Sequence, residues 1–472
     1  MLKNSTEILF DTFGKKIKIF KNFFTTFLFI VIFFTGVFAV KDYGVSSDEY
    51  QHRLHGFINL NYVGEKFAPN ITKKLRKDKN YVKFDEYGNN YYGGSLYNAS
   101  IGFLEILFGI QDKKNQFLFK HYINFLIFFL SLISFYKIIQ IRFSDWKYSC
   151  LGVLMLFLSP RIFANSFYNP NDLIFMCFCI FAIFFSLKFF EKPNFLNAFL
   201  FSLFVANAIN MRIMAVIIPM ISFFIILIYL NINNDLFKKY LKPCLSIFIF
   251  LPLLIYILWP YLWDDPVANF INTFLNLSNF DLEGRNFFLG EYISSKDIPW
   301  YYVPTWIIVT TPIIYLILFY IGCAKIILST LNIKINKTNL ILMDYFFLMF
   351  VLIPILAVIM LNSTLYNGWR HMYFIYPGII IITLVGVDLL IKNIRNKYFL
   401  NFFLIVLMLS LLNISSWMIK NHPHQNVYFN KFAGKKFSSR FELDYWGLTY
   451  RENLKFLLNY DTSRKIFLYN SS

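Results

Sequence analysis

Several runs of about 18 or more mostly apolar residues recur along the chain, and no other feature restricts its fold as strongly. A helix of that length crosses a hydrocarbon layer roughly 30 Å thick. Of the 472 residues, 57% are hydrophobic and only 15% are charged, against roughly 25% charged in soluble domains. The expected fold class is an all-α polytopic membrane protein with about eleven spans. They fall near 22–40, 120–139, 147–164, 172–190, 195–209, 213–230, 243–259, 305–326, 340–361, 373–391 and 398–417. Phe23–Val40 follows a basic stretch, as a signal peptide would. It lacks a small-residue cleavage site before Lys41-Asp42 and is expected to be retained. In Phe195–Leu230, Asn207, Asn210 and Arg212 interrupt the apolar run, which leaves two spans or one bent span with a re-entrant piece.

The net charge of +18 is unevenly placed. Basic residues gather in short connectors: Lys15, Lys16, Lys18 and Lys21; Lys137, Arg142 and Lys147; Lys238, Lys239 and Lys242; Lys392, Arg395 and Lys397. This positive-inside pattern puts the N-terminus and those connectors in the cytoplasm and the long loops outside. A basic stripe with interleaved exposed aromatics is missing, which argues against nucleic acid. Cys150, Cys177, Cys179, Cys244 and Cys323 lie in or beside apolar segments, so no disulfide framework is expected.

Two units are expected: a transmembrane domain over 1–419 with exterior loops at 42–120 and 260–304, and a small folded appendage over 420–472. The first loop, Tyr-rich and with a basic cluster at Lys73, Lys74, Arg76, Lys77 and Lys79, suggests two short helices on the membrane surface. The Trp and Tyr of the second suit an interfacial belt. No internal repeat, heptad, zinc-finger or P-loop pattern occurs, and Gly93-Gly94 is too short to cradle phosphate.

Asp48-Glu49 stands directly after the first span, where ionised groups are usually basic. A helix opening near Ser47, capped by Ser46 or Ser47, places Asp48, His52 and His55 on one face and turns Glu49 toward Arg53. Asp48 is then a catalytic base, or with His52 a partner of a divalent cation, or both acids simply complement a helix N-terminus. A second constellation runs from Ser159-Pro160-Arg161 to Tyr168-Asn169-Pro170-Asn171-Asp172. Unpaired polar groups are costly in hydrocarbon, so these residues should line a wet cavity. Arg161 is a candidate phosphate clamp and Asp172 a second acid; alternatively the two pair across a plain turn. Arg212, and Arg370 with His371, lie at membrane depth on the same side, as phosphate ligands or as snorkelling side chains. Asp264-Asp265 reads as helix capping, and His422-Pro423-His424 as a weak metal signal.

These pieces together resemble the integral-membrane glycosyltransferases of the GT-C fold, a superfamily that includes protein mannosyltransferases and the aminoarabinose transferases of lipid A. A bacterial branch is closer. That likeness rests on the Ser159–Asp172 string, Gly290-Glu291-Tyr292 with Pro299-Trp300-Tyr301-Tyr302, and Trp369-Arg370-His371. It rests also on the tail strings His422–Asn430 and Phe441-Glu442-Leu443-Asp444-Tyr445-Trp446-Gly447. The resemblance implies a polyprenyl-phosphate sugar donor, used on the exterior of a bacterial plasma membrane, usually with inversion at the sugar carbon. Asp48 would deprotonate the acceptor hydroxyl of a glycan, lipid or protein, supported by Glu49 and Asp172. Arg161, Arg370, Arg212 and His371 would bind the donor phosphate, and Asn169, Tyr168 and His52 would line the acceptor side. No cofactor is required by the pattern, and a divalent cation stays open. Two other classes compete: a transporter or flippase of lipid-linked sugars, and an inactive scaffold of an envelope-polysaccharide complex. Clustering of polar groups at one face, without matched half-repeats, favours the enzyme.

Overall fold

The computed structural model describes residues 2–75, 96–278, 284–331 and 339–460. Arg76, Lys77, Lys79 and Gly93-Gly94 lie outside these residues. Among the described residues, eight segments are helices long and apolar enough to cross a membrane: Lys21–Asp42, Lys113–Phe143, Asp172–Glu191, Ile213–Ile232, Phe237–Leu258, Asn339–Met360, Arg370–Asn393 and Lys397–Lys420. The chain is a multi-pass membrane protein. In chain order the membrane helices begin with α1 (Leu2–Ala39), and three shorter helices follow: α2 (Glu49–Phe67), α3 (Pro69–Leu75) and α4 (Leu96–Leu107). Then come α5 (Lys113–Phe143), α6 (Trp146–Phe157), α7 (Pro160–Tyr168), α8 (Asp172–Glu191), α9 (Phe195–Met211), α10 (Ile217–Ile232) and α11 (Phe237–Leu258).

Proline and extended residues decide where the remaining apolar runs break. Residues 147–164 form not one straight span but α6 and α7, bent by 67°. Pro160 cannot donate to the preceding turn and drives Ser159 out of the helical region, to ψ 107°. It then sits at the first position of α7, where its missing N–H costs nothing. Arg212, at φ −151° and ψ 126°, separates α9 from the turn that leads into α10. After α12 (Pro266–Ser278), the 305–326 run divides at Thr311-Pro312 into α13 (Tyr302–Thr310) and α14 (Ile313–Leu331).

α8 and the segment ending in α16 (Tyr376–Asn393) form the centre of the bundle, with 72% and 83% of their apolar windows buried. The first span and α11 are buried over only 17%, as lipid-facing helices should be. α14 and α16 meet backbone to backbone, because a Cβ at Gly322 would run into Ile382 O and one at Gly386 into Leu318 O. α15 (Asn339–Met360) and α17 (Lys397–Lys420) complete the membrane helices.

An antiparallel hairpin, β1 (Arg285–Phe288) and β2 (Glu291–Ser294), departs from the all-helical expectation. Its two-residue turn has Leu289 at φ 55° and Gly290 at φ 95°, the left-handed pair that a twisted hairpin requires. The chain after Lys420 docks on this hairpin: Gly290 N donates to Arg440 O at 3.0 Å and Glu442 N to Phe287 O at 3.1 Å. It also reaches the bundle, where Asn430 Nδ2 bonds Ile308 O and Thr311 O, both at 2.6 Å. α18 (Tyr450–Tyr460) follows.

Candidate functional site

The kink at Pro160 and the Asn169-Pro170-Asn171 turn put Asp172 at the head of α8, only 1% exposed. A buried carboxylate has to be paired, and here two arginines share it. Arg212 Nη2 bonds Oδ1, and Arg370 Nη1 bonds Oδ2 at 2.8 Å. Asn169 Nδ2 adds a bond of 3.2 Å, while Asp172 N returns 2.9 Å to Asn169 Oδ1. The alternative Arg161–Asp172 pair does not form. Asp172 has no free oxygen for proton transfer and is an anchor for arginines.

Arg370 stands where Asn367 and Gly368, at φ 55° and 66°, turn the chain back toward α16. Its guanidinium is caged by Tyr366, Trp446 and Tyr445, at 4.7, 5.0 and 5.8 Å from the ring centroids. Its other edge reaches Asp48, Nη2 to Oδ2 at 3.9 Å. Asp48 stands at the N-cap of α2, yet its side chain makes no capping bond. Trp446 Nε1 donates to Oδ2 at 2.8 Å instead, and Ser47 N bonds Trp446 O at 3.3 Å. Asp48 is 35% exposed, and a free carboxylate edge remains.

Glu49 does not turn toward Arg53. Because α2 starts at residue 49, its first side chain points into the bundle, fully buried. There Glu49 accepts from Ser46 N at 2.7 Å and faces His121 Nε2 at 2.9 Å. Neither serine caps the helix. Arg53 pairs with Glu105 at 2.8 Å. His52 contacts Asn171 at 3.2 Å rather than Asp48, and burial beside Lys120 holds its pKa well below the ordinary histidine value. Among the described residues no group of three or more His, Cys, Asp or Glu is placed to hold a metal.

Arg161 is 9% exposed on the same end of the bundle. Nε donates to Tyr428 O at 3.2 Å, the group stacks between Phe429 and Trp306, and Nη2 has no hydrogen-bond partner. Arg161, Asn165, Arg370, Asn426, Asp444 and Trp446 line a cavity of about 20 Å³. His371 lies buried against Tyr366 and Tyr168 packs between Tyr43 and Trp446. Of the remaining acids, Asp265 caps α12 through Ala268 N, whereas Asp264 takes Tyr62 and Lys66. His422 and His424 pair separately with Asp42 and Glu452.

No family model, curated protein or solved structure matches this chain. Its site is therefore judged on geometry. Two contributors escaped the sequence reading: Trp446, which holds Asp48, and His121, which holds Glu49. Trp446 lies about 400 residues from Asp48, and no spacing rule links the two. Its signal was its place in the Phe441–Gly447 string, to which no site role was attached.

Proposed function

We propose that this protein is a GT-C-type glycosyltransferase that moves a sugar from a polyprenyl-phosphate carrier to an acceptor hydroxyl, with Asp48 as general base. The bundle crosses the membrane eleven times on this reading, counting the α6–α7 pair, α9 and α14. In the last turn of α9, the Asn210 side chain bonds Leu96 N at 3.0 Å and Leu258 O at 2.9 Å on the site end. α14 begins just after Thr311, beside Asn430, and carries Lys325, beside Asp388, toward the far end. The basic connectors gather at that far end, and the positive-inside rule then puts the site outside the cytoplasm.

Asp48 carries the proposal. It is a partly exposed carboxylate with one oxygen bonded by Trp446 and 3.9 Å from Arg370, whose Nε lacks a partner. Its free edge removes the acceptor proton as the acceptor oxygen bonds to the anomeric carbon. The bond from that carbon to the phosphate oxygen breaks, and its electron pair leaves on the phosphate. Arg161 and Arg370 meet the charge that develops there. Arg212 and Asp172 hold Arg370 in place.

The test compares lipid-linked sugars and envelope glycans, by mass spectrometry, in cells lacking the gene, wild-type cells and cells with Asp48→Asn. One lipid-linked sugar should accumulate, and one glycan should lose a residue, in both the deletion and the variant. Glycans altered by the deletion and normal in the variant would overturn Asp48 as base and favour a transporter or scaffold.

A further inference from the structure

The chain after Lys420 brings acceptors to the site that the transfer step leaves unused. Asn426 Oδ1 and Asp444 Oδ1 are buried without hydrogen-bond partners, and Glu442 Oε2 is a third such atom. Asp444 spends its other oxygen on Thr449, through the backbone N and Oγ1 at 2.8 Å each. Asn426 and Asp444 line the same cavity as Arg161 and Arg370, whose Nη2 and Nε are likewise unpartnered. Donors and acceptors thus face one space without satisfying each other, an arrangement that is costly in a low-dielectric interior unless a ligand or water joins them.

The two sets call for different parts of one ligand. Guanidinium N–H groups suit phosphate oxygens, whereas amide and carboxylate oxygens suit hydroxyl donors. Trp446 and Tyr445 border the same space with apolar ring faces. An inorganic phosphate would satisfy only the arginines; a glycosyl phosphate satisfies both. We propose that Asn426 and Asp444 form the glycosyl subsite, accepting from the hydroxyls of the donor sugar while Arg161 and Arg370 hold its phosphate. This rests on the transferase reading and adds which residues tell a sugar-bearing carrier from a bare one.

The cavity of about 20 Å³ holds one water and no sugar ring. Admission of a sugar ring on this proposal requires residues 441–448 to move away from Phe287 and Ser47, to which they are tied by bonds of 3.1 and 3.3 Å. Because Trp446 also holds Asp48, admission of the sugar and placement of the base move together.

The full chain in nanodiscs is loaded with the polyprenyl-phosphate lipids extracted from its host cells, and the bound lipids are read by native mass spectrometry. Wild type should prefer one glycosylated carrier over bare polyprenyl phosphate by about tenfold or more, the worth of one or two hydrogen bonds to a charged or buried group. Asp444→Asn, which keeps the Thr449 contacts, and independently Asn426→Leu should reduce that preference to about twofold. Melting temperatures near wild type in detergent report that both variants are folded, and the preference is read as the ratio of glycosylated to bare carrier, since loss of the Asp444 charge favours the phosphate of both. If wild type prefers a glycosylated carrier and both variants keep the preference, the subsite is wrong and the transferase reading stands. If wild type itself shows no preference, the transferase reading fails and the subsite fails with it.

Discussion

At the end away from the site, Arg142 meets Asp344 through two parallel bonds of 2.6 and 2.7 Å. At the site end, Asp172 is divided between Arg212 and Arg370, and Arg161 makes no ion pair among the described residues. Both regions are buried. In the first, both oxygens of Asp344 are taken and neither residue has a buried polar atom without a partner. In the second, Arg161 Nη2, Arg212 Nε and Arg370 Nε have no partner. A closed fork holds two helices together, here α5 and α15; an open cluster of guanidinium groups is arranged for an anion that comes and goes.

The sharpest way to break this comparison is to remove each carboxylate. Asp172→Ala strands the buried Arg370 and the partly buried Arg212, Asp344→Ala strands Arg142, and losing one partner of a buried pair costs about 3–5 kcal/mol. Thermal unfolding in detergent should show a large loss for both. Folded Asp344→Ala should still bind polyprenyl phosphate with wild-type affinity, and a matching loss of binding there would erase the distinction between the two ends.

Asp48→Asn tests the open region from the other direction. Loss of a general base lowers transfer by about 10²- to 10⁴-fold, and because Asp48 is partly exposed the melting temperature should stay near wild type. Trp446→Phe is milder. It keeps the aromatic packing on Tyr168 but removes the N–H that fixes Asp48 Oδ2, so transfer should fall about tenfold at unchanged carrier affinity.

Much of this was legible in the chain itself. Spans such as Asp172–Glu191 follow from hydropathy alone, since lipid allows little else for such a run. Asp48, Arg161, Arg212 and Arg370 stood out because charge at membrane depth is expensive, and the fold does gather them at one end. Their partners were not legible. Three arginines could claim Asp172, and only the path of the chain through Pro160, Arg212 and Gly368 decides which two reach it. Glu49 turned inward because α2 begins one residue later than a serine cap would allow. The hairpin hid because Leu289-Gly290 is a weak turn signal beside so many aromatics.

Glu442 provides the smallest effect. Burial lifts its pKa from 4.5 to about 7, against the pull of Arg370 and Arg161. The folded chain thus holds a proton that the unfolded chain releases above pH 4.5, and stability contributed by this group falls as pH rises from there toward 7. Glu442→Gln should flatten that slope, read as hydrogen exchange of residues 437–448 across the interval. An unchanged slope would place the titration elsewhere.

The most direct measurement is the affinity of the full chain in nanodiscs for short-chain polyprenyl phosphate, compared among wild type, Arg161→Gln and Arg142→Gln. The open cluster predicts that Arg161→Gln weakens binding about tenfold or more, while folded Arg142→Gln binds as wild type. Equal binding by wild type and Arg161→Gln would contradict the assignment of this end of the bundle to a lipid phosphate.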